Sequence, residues 1–399
     1  MKVALYYPWI YLRSGCERTI AELLARSRHD WTVITNRFEP ESTFPEIPPD
    51  RVIELPRVSV ERSFSRVVHA AWRISRQKLP LSDCQALVIF CEGIGDFAVF
   101  QNSDVPLLCL CFTPLRAAFD PLYQERYLSM IGGGWKRRFL LNAFAAGFRF
   151  VDRFAWRKYR RIYAISAEVR ERIARGRLAK AKDVGLLYPG VDTSAAICST
   201  TCDPVFLIPG RIMWTKNLEL GIDAFQLLLG RRPDFAHFKL LIAGFVDLKS
   251  RPYIEALKHR AVACPQIEFI EAPSDPELAA LYERCFAIVY PPFNEDWGLV
   301  PLEGMLRSKP VIATNRGGPR ETVLDGQTGL LVEPTPASFA QSMETLVDRP
   351  ELAAGMGAAG RLHARRFDWK FLCEGIDDAV DELCGASPNG VSIHARELA

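Results

Sequence analysis

At 399 residues, with 49% apolar and 24% charged side chains, the chain has the composition of a globular protein with room for two domains. A formal net charge of +3 is too small for this length to create the broad basic field that nucleic acid binding uses, so no nucleic acid partner is expected. Eleven cysteines contain no C-x2-C pair and the six histidines lie away from them, which predicts buried reduced thiols and no metal centre.

The opening run, KVALYYPWI from Lys2 to Ile10, predicts a buried strand. It has neither the longer apolar core nor the cleavage site of a secretory leader, and no apolar run reaches the ~18 residues of a membrane span, which points to the cytoplasm. A loop from Tyr11 to Gly15, a helix through Glu17, Ile20 and Leu23, and a strand from Trp31 to Thr35 complete the β-loop-α-β start of a doubly wound α/β sheet. Gly15 leaves one conformationally permissive position in that loop.

Residues 39–62, rich in Pro, Glu and Arg, predict a surface excursion before a helix from Ser65 to Lys78. Strands follow at Ala86 to Phe90 and Leu107 to Cys111, the second leading into Phe112-Thr113-Pro114-Leu115-Arg116 and then Asp120. Between Trp135 and Arg161, nine basic residues face a single acid, Asp152, and alternate with aromatics. Two readings fit this stretch. One is a basic amphipathic surface for an anionic membrane, to which each Lys or Arg contributes about 1 kcal/mol. The other is a pair of helices packing their aromatics into the core.

A strand from Arg161 ends at Ser166, which is suited to cap a helix over Ala167 to Arg175. The small, polar residues 193–203 then read as a linker, with a domain boundary near 195. The expected organisation is a first domain over 1–195, a second over 196–370, and a terminal helix with a loose tail over 371–399. In the second domain a strand from Val205 to Ile208 leads to Gly210, Arg211 and Lys216, just before a helix from Leu218 to Leu229. Arg and Lys five apart at a strand end can clamp a diphosphate, the guanidinium bidentately and the ammonium as a mobile point charge, although such a pair can equally be surface charge. Further strands are predicted at Lys239 to Gly244, Ile267 to Ile270 and Phe286 to Tyr290.

The stretch after Tyr290, PPFNEDWGLVPLEGMLRSKPVIATNRGG, carries Glu295 and Glu303 eight residues apart, with Trp297-Gly298 between them and Pro301 just after. Glycine followed by proline and an apolar run marks a helix start, so Glu295 is expected on a loop and Glu303 on a helix. The free amides of Leu299 and Val300 can seat a phosphate, while the two carboxylates suit the hydroxyls of polyols on either side of it. A solvated loop acid and a helix-face glutamate would show the same spacing.

These features together resemble the donor half of a retaining GT-B glycosyltransferase of family 4, the glycosyl transferases group 1, closely from Pro204 to Glu333 and more weakly to both ends. The shared features are G-R-x4-K at Gly210 to Lys216, E-x7-E, PVIAT, the Gly317-Gly318 pair and the run from Asp325 to Gly329. The resemblance implies two Rossmann-like doubly wound domains facing a central cleft. It implies Glu303 on the ribose, Arg211 and Lys216 on the diphosphate, Glu295 on the sugar, and Gly15, Gly210, Gly298, Leu299, Val300 and Ile270 lining the donor site. No metal and no cofactor beyond the nucleotide-diphosphate sugar are implied. Where the family's H-T-P-x-R loop has histidine this chain has Phe112, so that ring, Arg116 and Asp120 are the residues expected near sugar or acceptor. The wording EDWG-x-VPLE is most like mannosyltransferases, which favours GDP-mannose as donor and a saccharide or lipid-linked saccharide as acceptor, at the cytoplasmic face if residues 135–161 meet the membrane. A non-catalytic nucleotide-sugar-binding or assembly partner, and a nucleotide-sugar epimerase, are the alternatives.

Overall fold

The computed structural model describes residues 1–59, 64–194 and 202–386. It divides into two units, Met1–Pro189 with Trp369–Ala399, and Gly190–Asp368. The expected boundary at 195, part of the linker and the terminal tail from Asn389 lie outside the described residues.

The first unit is a seven-stranded parallel sheet. Its strands are β1 (Lys2–Tyr6), β2 (Asp30–Thr35), β3 (Val52–Glu54), β4 (Ala86–Gly93), β5 (Leu107–Pro114), β6 (Arg161–Ala164) and β7 (Gly185–Leu186), in the order β3-β2-β1-β4-β5-β6-β7. The central strands are covered on both faces, so they read as unbroken apolar runs: Leu87 to Cys91 and Leu108 to Cys111 are wholly buried. β3 falls inside the stretch predicted as a surface excursion. Its three residues are exposed or half-exposed, so no apolar run announces it.

Residues 135–156 form one 22-residue helix, Trp135–Trp156, and not the pair of helices that one of the two readings supposed. Leu141, Ala145, Phe148 and Trp156 are buried, whereas Trp135, Phe139, Phe150 and Phe154 are exposed by 76%, 66%, 63% and 46%. At ~100° per residue those four fall within about a third of the circumference, opposite the buried face. The helix Trp369–Leu383 belongs to this unit: Asp377 accepts from the Arg28 backbone amide at 2.9 Å and Asp378 from the Arg28 guanidinium at 2.7 Å.

The second unit is a six-stranded parallel sheet of β8 (Val205–Pro209), β9 (Lys239–Gly244), β10 (Ile267–Glu271), β11 (Ala287–Tyr290), β12 (Val311–Thr314) and β13 (Gly329–Val332), ordered β10-β9-β8-β11-β12-β13. Phe206, Ile222, Phe225, Ile242, Val289 and Phe339 centre its core. The strand order reverses between β8 and β11. Sheets of this kind bind ligands at that switch point, outside the carboxyl ends of the strands. The Gly210 to Lys216 loop leaves β8 there, and the Pro291 to Gly298 loop leaves β11.

Candidate active site

These two loops are tied to each other. The Phe293 amide donates to the Thr215 carbonyl at 3.0 Å, and the Asn217 side chain donates to the Pro291 carbonyl at 3.1 Å. Asn217 is left-handed, with φ 53°, a conformation asparagine tolerates better than most residues. The consequence is an ion pair between residues far apart in the chain, with Lys216 Nζ 2.5 Å from Glu295 Oε2. Lys216 also lies 5.8 Å from the Tyr290 ring centroid. Arg211 makes no hydrogen bond or ion pair among the described residues, which leaves its guanidinium for an anion. Gly210, with φ 117°, turns the chain out of β8, and a Cβ on Gly244 would stand 1.8 Å from its carbonyl oxygen.

The loop of Glu295 is fixed from beneath. Trp297 is buried against Phe367, the ring centroids 5.5 Å apart. The Gly318 amide donates to the Glu295 carbonyl at 2.8 Å. Any Cβ on Gly317 would lie 2.2 Å from the Glu295 carbonyl oxygen, and one on Gly318 2.1 Å from that of Trp297, so the glycine pair lets two stretches of backbone touch. Gly298, with φ 98°, then opens the helix Leu299–Leu306 without a side-chain cap. The Leu299 and Val300 amides have no acceptor among the described residues, so the helix start is open to an anion.

Glu303 sits on this helix, where its carboxylate accepts from the Tyr282 hydroxyl at 2.5 Å. Burial, followed by the nearby Glu303, pushes the Tyr282 phenol well above its usual range, and burial with Glu295 does the same to Tyr290. Each phenol therefore stays protonated and remains a donor for its carboxylate. Tyr282, Tyr290 and Asn217 are site residues that sequence reasoning did not single out. Both tyrosines close regular apolar stretches and read as core, and only tertiary placement shows which group each hydroxyl meets. Ile270, on the edge strand β10, is half-buried beside Ala243 in register.

The residues predicted from the first unit behave differently. Phe112 lies in β5, 7% exposed, with its ring 5.2 Å from that of Phe90, which leaves little of it for a sugar. Arg116 and Asp120 bond to one another, Nε at 3.0 Å and Nη2 at 2.8 Å from Oδ2. Burial alone would raise the Asp120 carboxyl, but the Arg116 and Arg172 guanidinium groups outweigh it and hold the acid below its usual range. Gly15 opens the helix Gly15–Arg26, and a Cβ there would meet nothing within 4 Å, so local packing does not demand glycine.

The chain is similar in sequence and in fold to known glycosyltransferases. Residues 199–363 match the family described as glycosyl transferases group 1. The matched residues lie within the second unit. The chain is 35% identical over 158 residues to the human alpha-1,3/1,6-mannosyltransferase ALG2, covering 38% of each chain. Over 187 residues it is 34% identical to the D-inositol 3-phosphate glycosyltransferase of Arthrobacter sp. strain FB24, covering 44% of this chain and 43% of that one. The match thus spans less than half the length of these relatives. Among solved structures, sucrose-phosphate synthase from Thermosynechococcus elongatus superposes with a TM-score of 0.74 at 18% identity, over 97% of this chain and all of that one. Anabaena HepE in complex with UDP and glucose gives 0.67 at 15% identity, over 96% of this chain and all of that one. Both units thus have the Rossmann-like architecture of the GT-B fold.

Proposed function

We propose that the protein is a retaining glycosyltransferase that moves a hexose from a nucleotide-diphosphate sugar to a hydroxyl of a saccharide or lipid-linked saccharide. The observation that carries this reading is the convergence of Lys216 on Glu295 beside the unpaired Arg211 and the open start of the Glu303 helix. Glu303, aligned by Tyr282, takes the ribose hydroxyls. Arg211, Lys216 and the Leu299 and Val300 amides take the diphosphate, and Glu295 takes the sugar hydroxyls while holding Lys216 in place.

As the glycosidic C–O bond breaks, its electron pair goes to the leaving phosphate oxygen. Arg211, Lys216 and the helix start meet the charge that grows there, so they bind the transition state better than the ground state. The acceptor oxygen bonds to the anomeric carbon from the same face, and its proton passes to that phosphate oxygen. The assignment gives charge neutralisation to these side chains and amides and needs no metal. The mannosyltransferase relative favours mannose as the sugar moved, and the EDWG-x-VPLE resemblance favours GDP-mannose as donor. Nucleoside-diphosphate release from GDP-mannose and UDP-glucose, with the product anomer read by NMR, tests the reaction. An α-linked product from an α-donor is expected. An inverted anomer would overturn retention, and folded protein that releases no diphosphate with either donor would overturn transfer.

The helix Trp135–Trp156 supports a membrane-borne acceptor. Exposed Trp135, Phe139, Phe150 and Phe154, on a helix that also carries Lys136, Arg137 and Arg138, suit an interfacial contact with anionic lipid. None of the helices among the described residues is long and apolar enough to cross a membrane, so the contact proposed is a peripheral one. The protein is expected to float with anionic vesicles at low salt and to lose at least tenfold in affinity on Phe139→Ser with Phe150→Ser. Absence of flotation with anionic vesicles at low salt would remove the membrane from the account.

A further inference from the structure

The first unit contains a second group of chemically reactive side chains that the proposed reaction does not use. Cys91 on β4 stands in register with Cys111 on β5, their sulfurs 3.7 Å apart, and Cys109 lies one pleat away on β5. The turn after β4 brings Asp96 to the same place, its Oδ2 2.7 Å from Cys91 Sγ. The ligand atoms of Cys91, Asp96 and Cys109 lie within 4.8 Å of one another, and all three residues are buried. Tyr159 donates to the other Asp96 oxygen at 2.6 Å. From the helix Trp135–Trp156, Asp152 is also wholly buried, and neither of its carboxylate oxygens has a partner.

Two carboxyls and three thiols therefore share one dry region, and no Lys, Arg or His is bonded to either acid among the described residues. A buried, unpaired acid costs several kcal/mol unless it is neutralised or meets a cation. In a tetrahedral site with zinc–sulfur bonds of ~2.3 Å and zinc–oxygen bonds of ~2.0 Å, a sulfur and an oxygen ligand lie ~3.5 Å apart. Cys91 and Asp96, 2.7 Å apart with the thiol donating, would therefore open slightly to admit the ion. The mixed sulfur and oxygen donor set favours a thiophilic divalent ion over calcium or magnesium.

We propose that Cys91, Cys109 and Asp96 form a buried structural site for a zinc-class divalent cation, with the Cys111 thiol beside Cys91. Each coordinating thiol releases its proton to solvent when the ion binds. Tyr159 orients the Asp96 carboxylate by donating to its outer oxygen, as the partners of metal ligands commonly do. The ion would join β4 and β5. Cysteine spacing conceals it, because the ligands are paired by strand register and a turn and not by a short sequence motif.

The test is metal analysis of the full chain, expressed with added zinc and purified under reducing conditions without chelator. About one zinc per chain is expected, released when a mercurial titrates the thiols of the native protein. Asp96→Asn, which keeps the side chain's size, should weaken zinc binding at least tenfold. Cobalt substitution should give thiolate-to-cobalt charge-transfer absorption, which Cys91→Ser with Cys109→Ser abolishes. Below about 0.1 equivalents of zinc in folded wild-type protein, retention of zinc in the double variant, or cobalt spectra without thiolate bands would each overturn the proposal.

Discussion

Lys216→Ala is expected to lower the turnover of sugar transfer by about 10²- to 10³-fold, the usual loss when one group that meets developing charge is removed. The loss should fall on kcat more than on the donor KM, because the charge opposite Lys216 is larger in the transition state than in the bound donor. Stability should change little. The Lys216–Glu295 pair is part-exposed, 19% and 23% by side chain, and such pairs contribute ~1 kcal/mol or less. Lys216→Arg should restore only part of the rate. The longer planar fork carries the charge but cannot occupy the ammonium's place against Glu295 and the Tyr290 ring. A variant with unchanged kcat and a raised KM would show that Lys216 binds the donor without assisting bond cleavage.

Gly318→Ala tests the mechanical support of the same site. Gly318 has φ −56°, which alanine adopts freely, so the substitution introduces a collision without backbone strain. The new methyl group would stand 2.1 Å from the Trp297 carbonyl oxygen and 2.4 Å from its Cα, both backbone atoms that no rotamer change can move. The loop carrying Glu295 must retreat by ~1 Å to reach ordinary contact. Displacement on that scale in a positioning element costs about 10²-fold in rate, and the overpacking costs about 1–3 kcal/mol of stability. Gly355→Ala serves as the control. It lies exposed in the helix Pro350–Ala364 with nothing within 4 Å of an added Cβ, and should stabilise by about 0.5–1 kcal/mol. Equal activity of the Gly318→Ala and wild-type proteins would mean that the position of the Glu295 loop is not critical to the chemistry.

The features of the fold that were legible in the sequence are those that burial writes into it. Strands covered on both faces, such as Leu107 to Cys111 and Lys239 to Gly244, appear as apolar runs, and their ends fall within a few residues of the prediction. The edge strands β3 and β7 are too short to carry such a run, and β13 carries only Leu330 to Val332, half-exposed; none of the three was predicted. The start of the Glu303 helix was legible because glycine and proline act locally, through φ and the missing amide. Tyr282 and Tyr290 were not, since an aromatic at an apolar position reads as core whether or not its hydroxyl meets a carboxylate. Phe112 showed the converse. Its place in a loop motif suggested a ligand contact, whereas the structure extends β5 through Pro114 and buries the ring against Phe90. The cluster of Cys91, Asp96 and Cys109 depends on strand register, which spacing along one chain does not encode.

The measurement that tests the account most directly is thermal stabilisation of the wild-type protein and of Glu303→Ala by GDP, UDP, ADP and their sugars. A ligand that binds only the folded state adds ~2.7 kcal/mol at a hundred times its Kd, enough to shift Tm by several degrees. One base should stabilise the wild-type protein, and its shift should disappear in Glu303→Ala, whose carboxylate, aligned by Tyr282, is assigned to the ribose. If no nucleotide shifts the wild-type protein, or if the variant responds as strongly, the two loops after β8 and β11 are not a nucleotide-sugar site.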